Sequence, residues 1–324
     1  MNKTVVISVI FAIILIGSVS FSILSTQNRD QNVLSLLTRV PVSLSLSTKK
    51  SKWEPNKLVV IPAMWNEISW NDSSTWPLWL RSGLDGSSQY QVHLYQRKSP
   101  NSTSPFQWPY AINVHEEAGL YLKFIFDYYY DLPDKMLFIH GNPYAHSPHP
   151  IESALCIRDD VHFASINTVW IQDRPWSKWG KDPADNIAIM YKCANYILSL
   201  FGFDGESQLN PNNKQPKDEN LISTKCCAQF YVTKQRIHHY TFEQWLRVYH
   251  ANFEPFCASN RTIEKAGKGG TKWFGGAFEH LWHVILGFQP VNALPPRSKT
   301  NTDDCHLFRA DCKKSLCSNK AKQL

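Results

Sequence analysis

The stretch EEAGLYLKFIFDYYYDLPDKMLFIH, residues 116–140, decides the fold class. Ala118, Leu122, Ile125, Phe126 and Tyr129 recur at helical intervals along one face. Two glutamates open the repeat where the helix dipole favours negative charge, and Pro133 closes it. The spacing therefore predicts a helix over 116–130. Met136–Ile139 then reads as a short buried strand. Upstream, the apolar run Leu58–Ile61, stopped by Pro62, predicts another buried strand, and the alternating segment Gln91–Arg97 predicts a second. Strand, strand, helix, strand is the order of an α/β domain with an open mixed, mostly parallel sheet flanked by helices. Ligands in such sheets sit at the carboxyl ends of the strands. Downstream, helices are expected over 185–201, 235–249 and 277–286, with a strand over 227–233. Residues 204–220 read as an exposed polar loop, 267–276 as a glycine-rich loop, and the chain from Pro290 as irregular.

The end of the Met136–Ile139 strand carries FIHGNPYAHSPHP, residues 138–150, with His140, His146 and His149. These histidines are metal ligands, the rim of a substrate pocket, or ordinary loop residues. Their spacing lacks the i,i+4 placement of a helical zinc site, whereas their position at a strand end suits a pocket rim. That favours His140 and His146 as substrate-binding residues and leaves His149 a bystander. Near the other end of the chain, Glu279 and His283 lie one turn apart on the helix expected at 277–286. One reading makes Glu279 a general base with His283 beside it. The other docks the helix through Phe278, Trp282 and Ile285 and leaves an ordinary Glu–His pair. Asn113-x-x-x-Glu117 either caps the 116–130 helix or binds a hydroxylated ligand. Asn66-Glu67, just past the first strand, falls where a nucleotide base or ribose would lie.

Several chemistries lack their signatures. Metal-dependent sugar transfer usually carries Asp-x-Asp, and neither Asp159-Asp160 nor Asp182-x-x-Asp185 has that spacing. No metal ligand is assigned on that basis, and a divalent ion stays an open possibility for the cofactor. There is no Gly-x-Ser-x-Gly elbow, no Cys-x-x-Cys pair and no P-loop in the glycine-rich stretch. The net charge of +7 is spread along the chain without the interleaved aromatics of a nucleic-acid groove.

Residues 5–24 form twenty uncharged positions, enough for a membrane-spanning signal anchor behind a cytoplasmic tail of residues 1–4. The alternative is a signal peptide cleaved near Ser18-Val19-Ser20, giving a secreted protein. Residues 25–56 read as a polar stem, 57–289 as the lumenal α/β domain, and 290–324 as a basic, cysteine-containing tail. Sequons at Asn71, Asn101 and Asn260, together with an even set of eight cysteines, fit the secretory lumen, with the Golgi as the expected station. Cys305, Cys312 and Cys317 are expected to staple the tail to itself or to the body.

The same segments carry a resemblance. Asn66-Glu67-Ile68-Ser69-Trp70, Asn113 to Glu117, Tyr121-Leu122, Tyr129-Tyr130-Asp131-Leu132-Pro133-Asp134, Phe138-Ile139-His140 with His146, Ala228-Gln229-Phe230-Tyr231-Val232 and Glu279-His280-Leu281-Trp282-His283 follow one another in order. This pattern resembles an uncharacterised family of eukaryotic and bacterial proteins built on a domain of unknown function, over residues 58–288. The family often has glycine where this chain has His115. Its layout is similar to that of nucleotide-sugar glycosyltransferases. The resemblance thus implies a glycosyltransferase-A-like fold, a nucleotide-sugar donor across Asn66, Glu67, His140 and His146, and a glycan acceptor. Glu279 would then deprotonate an acceptor hydroxyl that His283 or Gln229 orients. The rival expectations are a metal-dependent hydrolase using His140, His146, His283 and Glu279, and a non-catalytic carbohydrate-binding protein.

Overall fold

The computed structural model describes residues 51–98, 108–168, 170–171, 186–203, 224–225, 228–251, 257, 272–287 and 304–317. The span expected at 5–24, the polar loop 204–220 and the sequons at Asn101 and Asn260 lie outside the described residues; Asn71 lies within them and is exposed. Among the described residues no helix is long and apolar enough to cross a membrane.

Seven strands are described: β1 (Leu58–Ala63), β2 (Tyr90–Val92), β3 (Lys135–His140), β4 (Phe163–Ser165), β5 (Trp170–Ile171), β6 (Thr224–Lys225) and β7 (Phe230–Thr233). Five of them form one mixed sheet in the order β2-β1-β3-β7-β4, and β5 pairs with β6 apart from it. β1 pairs in parallel with β2 and β3, while β7 runs antiparallel to both β3 and β4. Four strands therefore point one way and β7 opposes them. The sheet is mixed, as expected, though half of its pairings are antiparallel.

Both faces of the sheet are covered, which is why its strands read as continuous apolar runs. Val59, Ile61, Met136, Phe138, Phe230 and Val232 face the larger core, under helices α2 (Glu116–Tyr128), α4 (Asn186–Leu200), α6 (Phe242–Ala251) and α7 (Lys272–Ile285). The alternate residues Leu58, Val60, Leu137, Ile139 and Tyr231 pack on α3 (Pro150–Leu155) and on Leu307 and Phe308 of the tail. The remaining helices among the described residues are α1 (Leu78–Leu84), α5 (Lys234–Ile237) and α8 (Ala310–Cys317).

Several local expectations are corrected. Pro62 does not stop β1 but lies inside it, paired with Ile139. The Val60 carbonyl takes the His93 N–H at 2.9 Å. Pro62 points to that same side past the end of β2, so its missing N–H leaves no ladder bond unmade. The strand expected at 91–97 is only Tyr90–Val92 plus an isolated bridge from Gln96 to Tyr110. The helix expected at 116–130 ends at Tyr128 and passes into a 3-10 turn, Tyr129–Asp131. The single helix expected at 235–249 is two, α5 and α6. They are separated where Thr241 and Gln244 form a reciprocal capping box, with bonds of 2.9 and 3.3 Å. The strand expected over 227–233 starts at Phe230, after Ala228 adopts φ 54°.

The glycine-rich stretch is not a loop throughout, because α7 begins at Lys272 and carries Gly275 and Gly276 in its first turns. A Cβ at Gly275 would stand 3.0 Å from the His115 carbonyl oxygen and 3.3 Å from a Glu116 carboxylate oxygen. Gly275 thus lets α7 lie against the start of α2, where His115 and Glu116 both adopt φ 54°. Two successive left-handed non-glycine residues are a strained entry held by their surroundings. Gly275→Ala is expected to destabilise the chain by about 1–2 kcal/mol despite alanine's better helix propensity, because the backbone of 115–116 has to move. Denaturant midpoints of the two proteins measure this.

Residues ahead of β1 also join the fold. Trp53, placed in the stem by sequence, packs edge-on to Tyr128 at 5.3 Å and donates its indole N–H to the Asp131 carbonyl. The tail is not irregular over 304–317, which holds a 3-10 turn and α8. Its cysteines take both expected routes: Cys305 bonds Cys317 within the tail, and Cys312 bonds Cys156 in the body. Cys193 bonds Cys257.

Candidate functional site

The polar residues gather where β3 ends and α2 begins. β3 delivers His140 as its last residue, and the first turn of α2 delivers Glu117. His140 Nδ1 lies 2.8 Å from Glu117 Oε1. The His140 ring stacks on His146, centroids 4.3 Å apart at 21°. Burial pushes the His146 imidazole down, as does the neighbouring His140 charge, with Glu117 opposing. For Glu117, burial pulls upward, but the bond and charge from His140 and the charge of Arg97 win and hold the carboxyl below its ordinary range. Arg97 is buried, and burial lowers its guanidinium to about 10 against the opposing pull of Glu117 and Glu67. It donates to the Glu116 carbonyl at 2.8 Å, anchoring the strained entry of α2.

Gln229 locks this loop. Its Oε1 accepts the His140 N–H at 3.2 Å, while its Nε2 donates to the Pro143 carbonyl at 3.2 Å and to Asn167 Oδ1 at 3.1 Å. Asn167 Nδ2 returns a bond to the Gln229 carbonyl at 3.3 Å. Both residues are buried. The sequence reading of Gln229 as a substrate contact gives way to a strut, since both of its N–H groups are taken inside the protein. Gln229→Leu is expected to lower stability by about 3 kcal/mol, because it strips partners from the His140 N–H, the Pro143 carbonyl and Asn167. Equilibrium denaturation checks it; an unchanged midpoint would remove Gln229 from this role.

α7 brings the third carboxylate. Oxygen atoms of Glu116, Glu117 and Glu279 lie within 4.8 Å of one another, the one group of possible metal ligands among the described residues. Burial first, and then the charges of Glu117 and Glu116, raise the Glu279 carboxyl to about 7, with His140 opposing. Glu279, Trp282 and His283 form one wall of a cleft, and Phe163, Ser165 and Asn167 form the other. Two like carboxylates beside a half-buried third favour a shared proton or a cation at neutral pH. Beneath them the hydroxyl of Tyr121 is fully buried with no hydrogen-bond partner among the described residues.

The remaining sequence candidates sit around this centre. Glu67 lies against Gly141, where a Cβ would fall 2.7 Å from the Glu67 Cδ, the far end of an exposed side chain that can swing aside. Asn66 is exposed and its Oδ1 takes the Lys98 ammonium. Asn113 does not cap α2, because His115 occupies the cap position and makes no side-chain cap bond there. The Asn113 side chain makes no hydrogen bond among the described residues and stays half-buried at the entry. His149 is exposed at the start of α3, away from the pair His140–His146. Sequence reasoning misses Arg97, Glu116, Asn167 and Trp282 as site residues. The one local signal is at Arg97, a charged end to the alternating run 91–97.

No curated protein and no solved structure matches the chain. A family model matches residues 59–169 and 200–301, more than half of the sequence, and takes in all but the first residue of β1, β2 to β4, β6, β7 and the whole of α7. The chain belongs to the family described as Protein of unknown function (DUF3431).

Proposed function

We propose that the protein is a lumenal glycosyltransferase that moves a sugar from a nucleotide donor to a hydroxyl acceptor. The observation that carries this reading is Glu279, a carboxyl tuned to about 7 on the wall of the cleft, where a general base operates best near neutral pH. The donor lies over the carboxyl ends of β1 and β3, against Asn66, Glu67, His140 and His146. The glycosyltransferase-A-like layout implied by the resemblance supports that side for the nucleotide. In the reaction the acceptor oxygen bonds the anomeric carbon as its bond to the diphosphate breaks. Glu279 takes the acceptor proton, and His283 orients the hydroxyl. Glu117 holds His140 toward the donor. The N-terminal apolar segment 5–24 supports a membrane anchor, with the domain in the secretory lumen.

The test incubates the full-length protein with a panel of sugar nucleotides and separates the products. Release or transfer of the sugar, lost in Glu279→Gln, is expected; absence of turnover and of any nucleotide-dependent thermal shift would sink the reading. A second reading rests on the carboxylate trio: Glu116, Glu117 and Glu279 suit a divalent cation that would steady the leaving diphosphate. Turnover abolished by EDTA and restored by Mn²⁺ selects it. The hydrolase built on histidines predicts instead a stoichiometric zinc that His140→Ala removes.

A further inference from the structure

The cleft beside α7 has room for about one water molecule, and the Trp282 indole N–H is sealed from solvent with no hydrogen-bond partner among the described residues. A larger ligand needs the open carboxyl end of the sheet. There β1 ends at Ala63, which pairs with His140 at the end of β3, and the chain turns through Met64, Trp65, Asn66 and Glu67. The approach of Glu67 to Gly141 sets this turn beside the chain leaving β3.

Trp65 is the residue of that turn which the core does not use. Its ring is half-buried, whereas Met64 before it is fully buried. Of the tryptophans whose side chains are described, Trp65 alone packs on none of the three hydrophobic clusters. A single apolar side chain at a surface needs no explanation, but this one is held in place. The Trp65 carbonyl accepts the indole N–H of buried Trp70 at 2.6 Å, and the Trp65 N–H donates to Glu67 Oε2 at 2.5 Å. A backbone tied at both groups presents the ring in a set direction, which lowers the ordering cost of stacking a ligand on it.

The Lys98 ammonium stands 5.4 Å from the centroid of that ring. Lys98 is exposed, and its backbone N–H is held at 3.0 Å by the side chain of buried Gln96. Its ammonium donates to Asn66 Oδ1, and no carboxylate among the described residues pairs with it. Phosphates meet three carboxylates at Glu116, Glu117 and Glu279 but an unpaired cation at Lys98, so charge admits them beside Trp65. A neutral sugar would use the ring and leave the ammonium idle, and a free phosphate would do the reverse. A nucleotide uses both, because every base has a π-face and carries its phosphates one sugar away.

We infer that Trp65 is the stacking platform for the base of a nucleotide, with Lys98 on its phosphates. Naming that nucleotide the sugar donor rests on the transferase reading; the stacking itself does not.

The test uses the full-length protein without any acceptor. UDP, GDP, ADP, ribose 5-phosphate and methyl glucuronide are titrated, with saturation-transfer NMR and tryptophan fluorescence as readouts. At least one nucleoside diphosphate is expected to saturate, its base protons receiving the strongest transfer. Trp65→Leu is expected to weaken it about tenfold with the melting temperature unchanged, since the ring packs on none of the clusters. Trp65→Tyr restores a ring and is expected to recover most of that loss. Lys98→Ala is expected to weaken the diphosphate about three- to tenfold. No saturation by any nucleoside diphosphate, base protons without transfer, or wild-type binding by Trp65→Leu or Lys98→Ala overturns the platform. So does ribose 5-phosphate binding as tightly as the nucleotides, which leaves a phosphate site only, or tighter binding of methyl glucuronide, which leaves an acidic glycan. The base-proton transfer is read on the wild type and decides even if a variant fails to fold. A chain that binds a nucleotide through Trp65 yet turns over no sugar nucleotide keeps the platform and removes the transferase. Sugar transfer with kcat/KM unchanged in Trp65→Leu keeps the transferase and removes the platform.

Discussion

Glu279→Gln is expected to cut sugar transfer by about 10²–10⁴-fold while making the folded chain more stable at pH 8. The first effect is the loss of the proton acceptor, since an amide of the same shape cannot take the hydroxyl proton. The second follows from linkage. Folding raises the Glu279 carboxyl from 4.5 to about 7, so between those values the folded state binds a proton that the unfolded state has released. Stability from this group is fully present below about 4.5 and is lost as pH rises through about 7. Above that the ionised carboxylate, stripped of water by burial and crowded by Glu117 and Glu116, costs about 3 kcal/mol. The neutral amide of the variant carries no such penalty. The two proteins should melt together near pH 5 and several degrees apart at pH 8, the variant higher. Wild-type transfer should climb as pH passes through about 7, while residual transfer in the variant stays flat. A variant less stable than wild type at pH 8 would show that the carboxylate is a structural ligand.

What the sequence made legible follows the range of the forces involved. β1 and β3 announce themselves because both of their faces are buried, and α2 because its apolar residues repeat at the helical period. The broken helix at 234–251 was also legible, since Thr241 and Gln244 are a capping box. An apolar repeat continuing across the break masked it. The start of α7 was not legible. Gly275-Gly276 is local evidence for a loop, and only contact with the His115 carbonyl makes glycine the residue that a helix needs there.

The site divides in the same way. His140, Glu117 and Glu279 are visible as polar residues at a strand end or on a helix face. Their meeting depends on α2 and α7 packing together, which no spacing encodes. Gln229 shows the limit most sharply, because a buried strut and a substrate contact have the same sequence signature. Arg97 and the bare indole of Trp282 take their meaning wholly from burial, as charge and hydrogen bonding inside a protein do.

Removing the clamp between body and tail with Cys156→Ser and Cys312→Ser together is expected to lower stability by about 4–5 kcal/mol, on a loop-entropy account of the unfolded chain. The bond joins residues 156 positions apart, and the Cys193–Cys257 bond, spanning 64, already shortens that loop. The unfolded chain regains most of the freedom that such closure removes. Native contacts suffer too. Leu307 and Phe308 lie on the sheet face beside α3, with Phe308 bridged to Ile157 and the Leu307 carbonyl taking the Arg158 N–H at 3.0 Å. Cys156 caps the end of α3, the short helix that Pro150 starts just after the histidine loop. Freeing the tail therefore loosens the anchor of that loop. Denaturant unfolding of the double variant should show the lost stability, and NMR should show the His146 resonance broadened or shifted with the His140 stacking it reports. A drop under about 1 kcal/mol would mean that the backbone bridge at 157 and 308 holds the tail without the disulfide. A full drop with an unchanged His146 would mean that the loop takes its order from Gln229 and from the Thr168 bonds to the His146 carbonyl, none of which passes through α3.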